Sequence, residues 1–164
     1  MLFVGGFNTI IFIMRIFLAG IMQGSRVSAD LHEQNYRTRF RAALETFLPE
    51  YEVYDPLEFH ANSLDYQNPK GRDVFLHHNR MCSDVDLLVA HVPEASMGTA
   101  IEMWEAWRHD KLVISISPMK HNWAVKFLSH ILFEQETEFL NALEEGSLRR
   151  RLVQLGATIA ETPP

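Results

Sequence analysis

The residues best suited to chemistry lie in one short stretch, Ser96-Met-Gly-Thr-Ala-Ile-Glu102. Ser96, Gly98 and Thr99 surround what reads as the start of a helix. Backbone N–H groups left free there, together with the helix dipole, favour an anion of phosphate size. Glu102 falls in what reads as the first turn of the same helix. At that place the dipole favours an ionised carboxylate of low pKa, as a nucleophile or a charge-stabilising group requires. An anion pocket and a carboxylate so close together suit chemistry beside a phosphorylated sugar. The same residues are equally compatible with a serine cap and a glutamate that merely complements the dipole.

A second loop, Gly20-Ile-Met-Gln-Gly-Ser-Arg26, is bounded by glycines. Gly20 and Gly24 let backbone approach a ligand, while Ser25 and Arg26 add donors and a positive charge. No pair of His, Cys or carboxylates has the spacing of metal ligands, so neither a metal nor a cofactor is expected. His77 and His78 are adjacent and on a helix would point in different directions. The single cysteine, Cys82, reads as a buried structural thiol and suits a reducing, cytoplasmic setting.

These loops need strands to hold them. Leu87-Leu-Val-Ala90 is an apolar run without charge, as a strand buried on both faces reads. A helical pattern with Ile101, Met103, Trp104 and Trp107 follows, ending near His109-Asp110, and Lys111–Ile116 is a second buried strand. This is a βαβ unit, which places ligands at the carboxyl ends of its strands. Upstream, Met14–Ala19 reads as the first strand and Tyr51–Tyr54 as the second, stopped by Asp55-Pro56. Between them Ser28 or Asp30 could cap a helix running past Glu45, with Leu31, Tyr36, Phe40, Leu44 and Phe47 on its apolar side. The polar stretch Glu58–Arg72 reads as a loop long enough to serve as a lid or pocket wall. Asp73–Ser83 is expected to be helical. His121–Phe133 reads as one amphipathic segment whose Trp123, Phe127, Leu128 and Ile131 stripe suits core or a subunit contact. Glu134–Leu155 reads as a last helical region that Gly146-Ser147 divides.

With 164 residues and a net charge of -6, the chain suits one domain and disfavours nucleic acid as a partner. The expected organisation is a domain over residues 14–155 and a flexible tail over 156–164. Residues 1–13 are apolar, but Arg15 ends the run too early for a membrane span of roughly 20 residues. They read as an upstream extension with Met14 as the working start.

Three pieces together resemble the nucleoside 2-deoxyribosyltransferase superfamily, nearer its nucleoside 5'-monophosphate N-glycosidase branch. They are Ile16-Phe-Leu-Ala-Gly-Ile-Met-Gln-Gly-Ser-Arg26, Asp86-Leu-Leu-Val-Ala90 and Ser96-Met-Gly-Thr-Ala-Ile-Glu102. The resemblance covers about Met14 to Leu143. It implies a flavodoxin/Rossmann-like parallel sheet of about five strands with helices on both faces, and homodimers that build the site from both subunits. By matching position, Glu102 takes the place of the catalytic glutamate at the anomeric carbon. Asp86 takes that of an aspartate near the sugar and leaving base, with Asp84 or His91 as possible helpers.

At the position of Ser96 the transferase branch usually carries an acid near the sugar 5'-hydroxyl. A carboxylate there would repel a 5'-phosphate, whereas a serine donates to it. Ser96, with Gly24, Ser25 and Arg26, therefore implies a nucleotide. Ser129 resembles a serine that reaches the phosphate from the neighbouring subunit, although it also suits an ordinary helix surface. Phe17 stands where many members have a tyrosine that holds the glutamate, and its lost hydroxyl leaves room for a ribose 2'-hydroxyl. The implied activity is hydrolysis of the N-glycosidic bond of a (deoxy)nucleoside 5'-monophosphate. Transfer of deoxyribose between bases and a non-catalytic nucleotide sensor are the alternatives.

Overall fold

Strands with alternating inward residues on both sides can be buried only between two helical layers, and that is the arrangement found. In β1 (Met14–Gly20), Ile16 and Leu18 face one core while Phe17 and Ala19 face the other. In β3 (Leu87–His91), Leu87 and Val89 join the first core, and Leu88 and Ala90 the second. The computed structural model describes residues 14–22 and 33–157. The expected extension, the tail from residue 158 onward, and the Gly24-Ser25-Arg26 part of the first loop lie outside the described residues. So do the Ser28 and Asp30 caps.

β2 (Tyr51–Tyr54), β4 (Leu112–Ile116) and β5 (Ile131–Phe133) complete a five-stranded sheet of order β2-β1-β3-β4-β5. Every pairing is parallel. This is the flavodoxin-like order, and it reverses between β1 and β3, where such sheets bind ligands beyond their carboxyl ends. One face is covered by α1 (Asn35–Phe47), α6 (Glu136–Glu144) and α7 (Ser147–Gln154). Their contacts recur at helical spacing: Tyr36, Phe40 and Leu44, then Phe139 and Leu143, then Leu148 and Leu152. The other face carries α3 (Asn68–Met81) and α4 (Met97–Arg108), with Cys82, Met103 and Ala106 buried against the sheet.

Some expectations shift. The stretch from Glu58 to Arg72 is not all loop: α2 (Pro56–Phe59) is capped by Asp55, a single 3-10 turn spans Ser63–Asp65, and α3 starts at Asn68 with Pro69 in its first turn. Proline favours that place because no helical N–H is needed there. His121–Phe133 divides into a short helix, α5 (Trp123–Leu128), and the edge strand β5. Trp123 and Phe127 are exposed rather than core, whereas Ile131 is buried. Gly146 does separate α6 from α7, adopting a positive φ of 67° that suits glycine. No helix among the described residues is long and apolar enough to cross a membrane.

Candidate functional site

At the β1/β3 reversal lies a cleft of about 580 Å³. Its floor is Ala19 and Gly20 at the end of β1, with Arg37 of α1 beneath. One wall is Ser96, Met97, Gly98, Thr99, Ile101 and Glu102 of α4; the opposite wall is Val74, Phe75 and His78 of α3, with His60, Ser63, Leu64 and Tyr66 ahead of them. The polar stretch read as a pocket wall does line the cleft. Its size is right for a ligand as large as a nucleotide.

Ser96 caps α4: its hydroxyl accepts from the Thr99 N–H at 3.3 Å and from the Thr99 hydroxyl at 3.0 Å. The cap and the cleft lining are therefore the same residue. A Cβ added at Gly98 would meet nothing within 4 Å, so the helix tip is open to a ligand on that side.

Glu102 is the sixth residue of α4, a turn deeper than expected. The dipole's pull fades within the first turn, and the half-buried side chain instead feels desolvation. Burial pushes its pKa up to about 7, with the Arg37 guanidinium pulling the other way. The expectation of a low pKa is thus corrected. At neutral pH the carboxyl divides about equally between its two forms.

Arg37, which the motifs do not reveal, is fixed beneath the cleft. It is 3% exposed and pairs with buried Asp55 at 2.7 Å. It also donates to the Leu18 carbonyl at 2.9 Å, the Gly20 carbonyl at 3.3 Å and the Gln34 side chain at 2.7 Å. Gly20 is required here, since a Cβ would stand 2.0 Å from the Tyr36 hydroxyl. That hydroxyl is buried and has no hydrogen-bond partner among the described residues.

A group of rings on the α3 side was also missed. Tyr54 Oη lies 3.1 Å from His78 Nε2, and His60 Nδ1 lies 3.1 Å from Tyr66 Oη. The His60 and His78 ring centres are 5.1 Å apart. Burial, with the neighbouring His60 and His77, pushes His78 down to about 4, so it is neutral at pH 7. The only available signal was indirect: His60 and Tyr66 sit in the polar stretch, and His78 precedes the buried Cys82 by one turn.

Of the sequence-derived site residues, the structure brings Glu102, Gly20, Ser96, Gly98 and Thr99 together around the cleft. Phe17 is not among them: its ring is fully buried, stacked on Tyr54 at 5.7 Å and edge-on to His78 at 6.0 Å. It packs the wall from behind, so the room imagined beside a ribose is filled by core. Asp86 is also corrected. It precedes β3, so it lies at the amino edge of the sheet, exposed, accepting from the Arg15 N–H at 2.7 Å. A five-residue strand, about 16 Å long, separates that edge from the cleft. Asp84 lies at the same edge, its carbonyl accepting from Arg15. His91 faces the other side of the sheet, against Tyr36 and Phe40, with Nε2 3.2 Å from Glu136. Ser129 lies outside the cleft lining; its hydroxyl donates to the Val125 carbonyl at 2.5 Å and sits 2.6 Å from Ser115 Oγ. Cys82 is a free, fully buried thiol.

No family model and no curated protein matches the chain. Among solved structures it is similar to a 2-deoxyribosyltransferase from the psychrotolerant bacterium Bacillus psychrosaccharolyticus. That match has a TM-score of 0.58 and 18% identity over 77% of this chain and 90% of the other. It is also similar to BlsM, known from a solution structure, with a TM-score of 0.60 and 16% identity over 92% and 98% of the two chains. A CMP N-glycosidase from Clostridium botulinum, BcmB, is 22% identical over 80% and 98% of the two chains, with a lower TM-score of 0.46. The chain therefore shares the fold of the Bacillus transferase and of BlsM.

Proposed function

We propose that the protein hydrolyses the N-glycosidic bond of (deoxy)nucleoside 5'-monophosphates, releasing free base and sugar 5-phosphate. The observation that carries this reading is a half-buried carboxyl, Glu102, in the wall of a cleft whose same helix offers an open, capped tip. The phosphate sits at that tip, held by the Met97 and Gly98 N–H groups, which the Ser96 cap on the Thr99 N–H leaves unused. The sugar then spans the distance to Glu102. The transition state resembles an oxocarbenium ion, and an ionised carboxylate beneath C1' stabilises it. The C1'–N bond breaks with its electron pair on the base, a Glu102 oxygen bonds or guards C1', and water completes the sugar. Only the ionised fraction of Glu102 serves this step, and Arg37 maintains that fraction against burial.

Ser25, Arg26 and Gly24 belong to this reading as further phosphate ligands from the first loop. So does Ser129, offered to a partner's site in a homodimer. Exposed Ile101, Trp104 and Trp107 of α4, with Trp123 and Phe127 of α5, support self-association through those helices. Light scattering of the purified protein tests this; a monomer at all concentrations refutes it.

Mass spectrometry of products after incubation with CMP, UMP, AMP, GMP and their deoxy forms tests the activity. Base and sugar 5-phosphate are expected from the wild type. Glu102→Ala should lose essentially all turnover while still binding nucleotide, and near-normal turnover by that variant refutes the assignment. The same cleft suits transfer of deoxyribose to a second base, the activity named for the Bacillus protein that shares the fold. Appearance of a new nucleoside when a second base is added identifies that outcome. Thermal stabilisation by nucleotide with no product identifies a sensor.

A further inference from the structure

The cleavage reading leaves open what receives the departing base. Among the described residues lining the cleft, Glu102 is the only carboxylate, and it belongs beneath the sugar. With Asp86 at the opposite edge of the sheet, the polar groups left on the α3 wall are Ser63, whose hydroxyl is a weaker donor on a short 3-10 turn, and the rings of His60, Tyr66 and His78. His60 and Tyr66 are half-exposed and bond to each other. His78 is the rigid one: it is 7% exposed, wedged edge-on against Phe17 and Tyr54.

We propose that His78 is the catalytic hydrogen-bond donor to the leaving base, and that Tyr54 is the positioning residue that fixes its tautomer. This rests on the cleavage reading above. Tyr54 Oη lies 3.1 Å from Nε2. An imidazole nitrogen accepts hydrogen bonds better than a phenol oxygen, so the Tyr54 hydroxyl donates to Nε2. The ring proton is then on Nδ1, on a residue that lines the cleft. Because the ring is neutral, Nδ1–H acts as an electrophilic donor and does not give its proton away, as a neutral histidine can in enol chemistry.

The chemistry this selects is a heterocycle with an acceptor beside its glycosidic nitrogen, either O2 of a pyrimidine or N3 of a purine. As the C1'–N bond breaks, the electron pair moves onto the base and spreads to that acceptor, where Nδ1–H stabilises it. Nδ1 keeps its proton, and the base takes one from water. The hydroxide equivalent of that water ends on C1' after release from Glu102. One water is consumed in all.

The test compares two substrates in wild type, His78→Phe and Tyr54→Phe. One is the nucleotide turned over fastest in the product panel. The other is 4-nitrophenyl ribofuranoside 5-phosphate, whose phenolate departs without help. His78→Phe should lose about 100-fold or more in kcat on the nucleotide, the usual reach of such assistance, and stay near wild type on the nitrophenyl compound. Tyr54→Phe should show a smaller loss in the same pattern. Equal losses on both substrates in a folded Tyr54→Phe protein, or an unimpaired His78→Phe on the nucleotide, overturn the proposal. A wild type that releases neither base nor nitrophenolate overturns the cleavage reading itself, which separates the two failures.

Discussion

Replacing Glu102 by Gln should stabilise the protein, and increasingly so as pH rises from 4.5 to 7. The carboxyl moves from its ordinary 4.5 to about 7 because burial disfavours the ionised form, with Arg37 offsetting part of the effect. A raised folded-state pKa on an acid means the folded protein holds a proton that the unfolded chain has already released. The sign follows from linkage: below pH 4.5 both states are protonated and nothing is lost. Stability then falls as pH rises from 4.5 to 7, and above 7 the full cost is present. At about 1.4 kcal/mol for each tenfold in proton affinity, that cost is about 3 kcal/mol. One side of the carboxyl faces the open cleft, and solvent screening there reduces it to about 1–3 kcal/mol. Glutamine keeps the shape and removes the charge. Urea unfolding of both proteins at pH 5 and pH 8 reads the difference directly. Glu102→Gln should gain about 1–3 kcal/mol at pH 8 and less than about 1 kcal/mol at pH 5. An equal effect at both pH values, or a destabilised variant at pH 8, would refute burial as the source of the shift. The same titration should appear in catalysis, with base release rising through about pH 7 as Glu102 ionises.

Other perturbations probe the frame of the site. Arg37→Met should destabilise by about 3–5 kcal/mol in urea titration, because it strands the buried Asp55 carboxylate; Arg37→Met with Asp55→Leu should recover much of that loss. Gly20→Ala drives a Cβ into the Tyr36 hydroxyl and should cost about 1–3 kcal/mol, read as a lower thermal midpoint. Tyr36→Phe in the same chain should restore part of it, since the closest clash is with the hydroxyl oxygen. Phe17→Tyr should leave the ratio of CMP to dCMP turnover unchanged, because the ring lies in the core, and should lower stability by about 1–3 kcal/mol if the new hydroxyl finds no partner. A changed ratio would return Phe17 to the site.

How far the sequence reached is clearest at particular residues. Leu87–Ala90 and the Leu112–Ile114 run within Lys111–Ile116 identify buried parallel strands because consecutive apolar residues leave neither face for water, and the βαβ order then leaves few topologies. The small residues from Ser96 to Thr99 likewise mark a helix tip, a local property of backbone geometry that needs no tertiary partner. Asp86 could have been placed correctly from the same reasoning, since a residue that precedes a parallel strand lies at the edge away from the ligand. β5 was hidden because Ile131–Phe133 is too short to show a period.

What the chain could decide alone was whatever depends on neighbours a few residues apart: the strands, the helical faces, the cap at Ser96 and the kinds of group available for chemistry. Tertiary structure alone decided how those groups behave. Burial in the cleft wall overrode the helix dipole at Glu102. Side chains from α1, from the residue that ends α2 and from α3, distant in sequence, became its floor and opposite wall as Arg37, His60 and His78. Proton affinity and proximity depend on what surrounds a side chain in space, and no spacing along the chain specifies that surrounding.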